Sequence, residues 1–259
     1  MSVSASVLGR PLWFELMTSD AAAAESFYTK VVGWSPAPFK ESPQPYTTFM
    51  RSGGIPVAGL LTTPDGMNAP PFWAMYVGVP ALEAGVEAVE SRGGSQCSPV
   101  IDVPTVGRMQ MMQDPQGAAF YLYEPASEPQ TPEQAPEIGE ASWLELMTTD
   151  AAAALTFYQD VFSWQPSEAM DMGPMGKYYM FNRPHGMIGG MMNKTPEMAS
   201  VPPHWQIYFR VPDVDAAVER VTAGGGQVIN GPMEVPGGDR ILNGIDPQGA
   251  AFSLHSKKP

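Results

Sequence analysis

Cysteine is nearly absent from this sequence: Cys97 is the only one in 259 residues. An intrachain disulfide framework is therefore excluded, and a reducing, cytoplasmic setting is expected. Basic residues are also scarce. Lys and Arg number 14 against 27 Asp and Glu, giving a formal net charge of -13. A chain of that sign repels phosphate backbones, so no nucleic-acid partner is expected. No apolar run is long enough to span a bilayer, and the first residues, MSVSASVLGR, offer neither a basic nor an apolar leader region. No membrane association or export signal is expected. Histidine occurs three times, as His185, His204 and His255, all in the second half of the chain. The first half thus cannot build a His-bearing metal site from its own residues.

The chain instead has a repeat. Trp13-Phe14-Glu15-Leu16-Met17-Thr18 returns as Trp143-Leu144-Glu145-Leu146-Met147-Thr148. Asp20 and the alanines to Ala24 return as Asp150 to Ala154, Phe27-Tyr28 as Phe157-Tyr158, and Trp34 as Trp164. Pro70-Pro71-Phe72-Trp73 pairs with Pro202-Pro203-His204-Trp205, and Asp114-Pro115-Gln116-Gly117 with Asp246-Pro247-Gln248-Gly249. The blocks keep their order, which marks a tandem duplication. Between the copies, residues 125–140 carry Pro125, Pro129, Pro132 and Pro136 with no apolar periodicity. Such a stretch continues neither a helix nor a central strand. The expected organisation is one domain over 1–124, a Pro-rich linker over 125–140 and a second domain over 141–259.

Local patterns give the elements of one copy. Residues 12–18 alternate as a strand does, with Trp13, Glu15 and Met17 on one face. Asp20 is a helix N-cap; Ala24, Phe27, Tyr28, Val31 and Val32 follow at helical spacing, and Gly33 ends the helix. Tyr46–Arg51 and Ile55–Leu61 read as two strands around Gly53-Gly54. The pattern then recurs: a strand from Trp73, a helix marked by Leu82, Val86 and Val89 and stopped at Gly93-Gly94, and three strands up to residue 123. Asp-Pro-Gln-Gly has the chemistry of a turn. Each copy is thus βαβββ twice over, an α+β fold.

Paired βαβββ units with an Asp-started helix carrying Phe-Tyr and then Gly-Trp (Asp20, Phe27, Tyr28, Gly33, Trp34) resemble the vicinal-oxygen-chelate (VOC) superfamily. That superfamily holds glyoxalases, bleomycin-resistance proteins and extradiol dioxygenases. Val211-Pro212-Asp213-Val214-Asp215 at a helix start and an Asp-Pro-x-Gly turn before each last strand belong to the same resemblance. It implies two tandem VOC-like domains, each made of two βαβββ units forming a cupped mixed sheet. In metal-dependent members, four strands each aim a His, Glu or Gln into the cup. The corresponding positions here are Trp13, Gly59, Ala74 and Tyr121, then Trp143, Gly190, Gln206 and Ser253. Trp and Gly offer a divalent ion nothing. No cofactor is expected, with a divalent metal on displaced ligands such as Glu145, His204 and His255 as an alternative.

Glu15 and Glu145 are the leading candidates for chemistry. On a face shared with Trp and Met, a carboxylate is desolvated and its pKa rises, which suits a general base or a counter-charge for a cationic ligand. Tyr208 and His204 complete the candidate catalytic set. Trp13, Trp143, Tyr76, Tyr121, Gln206, Arg210 and His255 are candidate ligand-binding residues, with Arg210 a possible partner of Glu145 or of an anionic ligand. Each also has an ordinary structural explanation in core packing or surface pairing. The first functional reading is a small-molecule enzyme without metal, lyase- or isomerase-like, with a carboxylate base. The alternatives are a non-catalytic small-molecule-binding, drug-sequestering protein and a metal-dependent glyoxalase or dioxygenase. The expected partner is a small-molecule ligand, and the chain is expected to be a monomer or homodimer.

Overall fold

The structure, a computed structural model, describes residues 5–42, 44–64, 69–129 and 134–258. Part of the Pro-rich segment, 130–133, lies outside the described residues. In the first half, β1 (Pro11–Thr18) is followed by α1 (Ala21–Val31), β2 (Ser35–Pro38), β3 (Tyr46–Arg51) and β4 (Ile55–Thr62). The second quarter is β5 (Phe72–Gly78), α2 (Leu82–Glu90), β6 (Ser95–Gln96), β7 (Ile101–Val103), β8 (Gly107–Gln113) and β9 (Ala119–Pro125). The third is β10 (Ala141–Thr148), α3 (Ala151–Phe162), β11 (Gln165–Pro166), β12 (Met170–Asp171), β13 (Lys177–Arg183) and β14 (Gly186–Asn193). The last is β15 (His204–Arg210), α4 (Val214–Ala223), β16 (Gln227–Glu234), β17 (Arg240–Ile245) and β18 (Ala251–Ser256).

The hydrogen-bonded strand order is β2-β3-β4-β1-β5-β9-β8-β6 in the first half and β11-β13-β14-β10-β15-β18-β17-β16 in the second. Both sheets are mixed: β1 runs parallel to β4 and β5 to β9, while β3–β4 and β8–β9 are antiparallel. The helices begin where the cap chemistry places them. Asp20 and Asp150 accept the N–H of Ala23 and Ala153, each at 3.0 Å, and Asp213 accepts those of Asp215 and Ala216. Such caps stabilise a helix by about 1 kcal/mol.

Packing groups the quarters across the repeat. A flanking unit holds Trp13–Ala74, Ala135–Trp143 and Gln206–Pro259; a central unit holds Met1–Leu12, Met75–Gln134 and Leu144–Trp205. In the flanking unit, Tyr28, Trp34, Phe49, Trp73, Phe209 and Phe252 form one aromatic core, with Trp34 stacked on Phe49 at 4.9 Å. In the central unit Phe120, Tyr158, Phe162, Trp164, Phe181 and Trp205 do the same, with Trp164 stacked on Phe181 at 4.5 Å.

Inside each core runs a buried polar chain. Trp73 Nε1 donates to Tyr28 Oη (2.9 Å), and Tyr28 Oη donates to Asp246 Oδ2 (3.1 Å). Asp246 Oδ1 accepts the backbone N–H groups of Gln248 and Ala250, so it holds its own turn as well. The central unit repeats this with Trp205, Tyr158 and Asp114 at 3.0 and 3.1 Å. The Phe-Tyr motif and the Asp-Pro-Gln-Gly motif are thus two ends of one hydrogen-bonded clamp, each end supplied by a different half. Burial raises the pKa of Asp114 and Asp246 against the pull of their N–H and tyrosine donors. It also raises Tyr28 and Tyr158, helped by the neighbouring aspartate charge.

Of the Pro-rich segment, Pro125 ends β9 and the Ala126 N–H donates to the Val106 carbonyl in the central unit, while the residues after 134 are anchored in the flanking unit. Trp34 Nε1 donates to the Gly139 carbonyl, and Arg51 pairs with Glu140 at 2.7 Å and Glu137 at 3.0 Å. Trp164 and Arg183 hold Gly9 and Leu8 in the same way in the central unit.

Candidate active site

β1 and β4 are paired so that Glu15 lies opposite Gly59, and β10 and β14 so that Glu145 lies opposite Gly190. On the next strand, Thr48 pairs with Gly59 and Met180 with Gly190. Tyr46 and Tyr178 stand two residues before those partners, at the diagonal position from which a long aromatic side chain reaches across. The glycine lets it do so. A Cβ on Gly59 would lie 1.8 Å from Tyr46 Oη, and one on Gly190 would lie 2.1 Å from Tyr178 Cε1. With no side chain there, the tyrosine ring crosses the strand. Tyr46 Oη donates to Glu15 Oε2 at 2.7 Å, and Tyr178 Oη donates to Glu145 Oε1 at 2.8 Å. Trp13 Nε1 donates in turn to Tyr46 Oη at 2.9 Å. Glu15 is only 7% exposed, and Glu145 is half-buried.

Sequence reading singles out both glutamates and Trp13, but not Tyr46 or Tyr178. A signal is present: Tyr46 is the first residue of β3 and Tyr178 the second of β13, and each lies two residues before the partner of a glycine. Trp143, the counterpart of Trp13, is half-buried on β10.

The other candidates fall into separate groups. In the central unit Tyr76 and Tyr121 are register partners and stack at 4.3 Å with rings 9° from parallel. In the flanking unit their counterparts Tyr208 and Ser253 join a polar cluster. Ser253 Oγ accepts Gln206 Nε2 at 2.6 Å and Asn243 Nδ2 at 2.8 Å, and Asn243 Nδ2 also reaches Tyr208 Oη at 3.0 Å. Asn243 escapes sequence reading; it lies opposite Ser253, where Met111 lies opposite Tyr121 in the first half. His204 Nδ1 sits 2.9 Å from the Pro202 carbonyl. Arg210 Nη1 donates to the Pro136 carbonyl at 2.5 Å. His255 is half-buried between Ser142 and Asp239, at 2.8 and 3.0 Å.

The side chains present do not fit the metal that this architecture can carry. The first-half positions are Trp13, a glycine covered by a tyrosine ring, Ala74 and a stacked Tyr121. Among the described residues no group of three or more His, Cys, Asp or Glu is placed to hold a metal ion. Hard and borderline cations need several such donors converging.

The Glyoxalase/Bleomycin resistance protein/Dioxygenase superfamily model matches residues 10–122 and again 141–254. CFP32 of Mycobacterium tuberculosis is 34% identical over 257 residues, covering 97% of this chain and 96% of that protein. Anthracycline biosynthesis protein DnrV of Streptomyces peucetius is 32% identical over 268 residues, covering 95% and 92%. Among solved structures, the Mn(II)-bound glyoxalase from Novosphingobium aromaticivorans superposes with a TM-score of 0.65 at 15% identity, over 97% of this chain and 83% of that one. Homoprotocatechuate 2,3-dioxygenase from Arthrobacter globiformis gives 0.67 at 15% identity, over 99% and 82%. At that identity the structures speak for the fold alone. The chain belongs to the Glyoxalase/Bleomycin resistance protein/Dioxygenase superfamily, with the family unit present twice in tandem.

Proposed function

We propose that the protein binds a small organic molecule against the Glu15–Tyr46 and Glu145–Tyr178 pairs and moves a proton there without a metal ion. The observation that carries this reading is the pair itself, built twice over a glycine that must stay bare. The carboxylate is the proton acceptor. The tyrosine hydroxyl fixes its orientation and, in the first half, is itself held by the Trp13 N–H. A base poised by such contacts contributes roughly 10²–10⁴-fold to a proton transfer.

The ligand class we favour is a planar, oxygen-bearing aromatic. The Tyr46 ring lies against the Glu15 carboxylate, with the Trp13 indole hydrogen-bonded to its hydroxyl. Relatives of nearly equal length are named as anthracycline biosynthesis proteins, which points to the same chemistry. Binding without turnover is the second reading, and the aromatic groups beside Glu15 support it equally.

Turnover and calorimetric binding of a hydroxyanthraquinone panel, with Glu15→Gln and Glu145→Gln, test the proposal. Turnover should fall by about 10²-fold or more in at least one variant while neutral-ligand affinity stays near the wild-type value. Wild-type turnover in the double variant would remove the carboxylates from the mechanism. Binding with no turnover in any form would leave the sequestering reading.

A further inference from the structure

We propose that Ser142, His255 and Asp239 form a second reactive site in the flanking unit, in which Ser142 is a nucleophile for small carboxylic esters. Ser142 Oγ lies 2.8 Å from His255 Nδ1, and His255 Nε2 lies 3.0 Å from Asp239 Oδ2. These are the contacts that nucleophilic catalysis by a hydroxyl requires: a base within reach of the nucleophile, and a third group that orients the base. Asp239 is itself fixed, because Oδ1 accepts the backbone N–H of Lys258 at 3.1 Å. Burial works against its charge. The hydrogen bonds from His255 and Lys258, with the nearby Lys257 ammonium, outweigh that and hold its carboxyl below the ordinary value. An anionic acceptor on Nε2 places the ring proton there and leaves the Nδ1 lone pair toward Ser142. The Tyr208 carbonyl, at 3.2 Å, is the weaker competing acceptor for the serine proton.

Nothing in the repeat demands this arrangement. The matching positions in the first half are Leu12, Tyr123 and Gly107, none of which can take part. The three residues come from the start of β10, from β18 and from the loop between β16 and β17, and all are half-buried, so they are held yet reachable. Arg210, the register partner of His255, brings a guanidinium on the neighbouring strand. It also lines a groove of about 470 Å³ with Trp34, Pro136 and Ile138. Ser142, His255 and Asp239 are not part of that lining, and Arg210 is the residue that links the groove to the triad. In the reaction, Ser142 Oγ adds to the ester carbonyl and its proton passes to His255 Nδ1. The alkoxide leaves with that proton, and water, deprotonated by His255, releases the acid and restores the serine.

The test is labelling of the full-length chain with a fluorophosphonate, in which the P–F bond breaks, fluoride leaves and a P–O bond to serine forms. Peptide mapping of the wild type should find one adduct, on Ser142, and p-nitrophenyl acetate should be cleaved. Ser142→Ala should abolish both. Asp239→Asn and His255→Gln should slow labelling more than about tenfold. Glu15→Gln and Glu145→Gln should label at the wild-type rate, which keeps this site separate from the function proposed above. No adduct, an adduct elsewhere, or unchanged labelling in Asp239→Asn and His255→Gln would overturn the proposal. Mapping on the wild type decides the first two even if a variant fails to fold.

Discussion

A methyl group on Gly59 would occupy the space of the Tyr46 hydroxyl, 1.8 Å from Oη and 2.5 Å from Cζ. Gly59→Ala should therefore push the ring off Glu15 and destabilise the protein by about 1–3 kcal/mol, the usual cost of overpacking. Urea denaturation measures it, and a Tyr46→Ala background supplies the control. With the ring gone, the same alanine should cost much less. An equal cost in both backgrounds would mean that the clash is not what keeps Gly59 bare. At this scale the sequence is half legible. The glutamates and Trp13 stand out because they repeat within an alternating strand. Tyr46 and Tyr178 do not, because their role depends on a diagonal across two strands and on an absent side chain. Asn243 is hidden for a related reason: its position matters only through its register with Ser253.

Strands, helices and their caps follow closely from local pattern, since alternation, Asp caps and glycine stops are short-range signals. What local pattern does not contain is the partner of each motif. Tyr28 and Asp246 are far apart in sequence and belong to different copies of the repeat, yet they share one buried hydrogen bond. Tyr158→Phe would leave the Trp205 N–H without its acceptor and remove one donor from Asp114. A loss of about 1–3 kcal/mol is expected, read as a lower urea midpoint with unchanged slope. The aspartates add a pH signature. Burial sets the folded pKa of Asp246 above 3.8, so between that value and the folded one the native state holds more protons than the unfolded state. Stability then falls as pH rises through this window. Compared at each pH with Asp246→Asn, which does not titrate, the wild type should lose ground as pH rises and then level off. A gap that moves the other way would contradict a raised Asp246.

At the scale of the whole molecule, the family architecture is present, while among the described residues no group of three or more His, Cys, Asp or Glu is placed to hold a metal ion. The superfamily model covers both copies, and a Mn(II)-bound glyoxalase superposes over most of the chain. Architecture is kept by the aromatic cores and the Trp-Tyr-Asp clamps, which are built from other residues than Trp13, Gly59, Ala74 and Tyr121. The positions that the resemblance assigns to metal ligands hold Trp, Gly, Ala and Tyr in the first half. This separation makes metal binding a sharp thermal measurement. A ligand that binds only the folded chain stabilises it by RT ln(1 + [L]/Kd), about 4 kcal/mol at a thousandfold excess over Kd. A tight divalent site would thus raise the melting temperature by several degrees in a chain of this length. Melting in Mn(II), Zn(II), Ni(II) or Fe(II) should instead match melting in chelator, and protein purified without added metal should carry none in stoichiometric amount. A shift of several degrees with one bound ion per chain would mean that displaced residues such as Glu145, His204 and His255 do converge on a metal in solution. The carboxylate–tyrosine pairs would then have to be reread as part of that site.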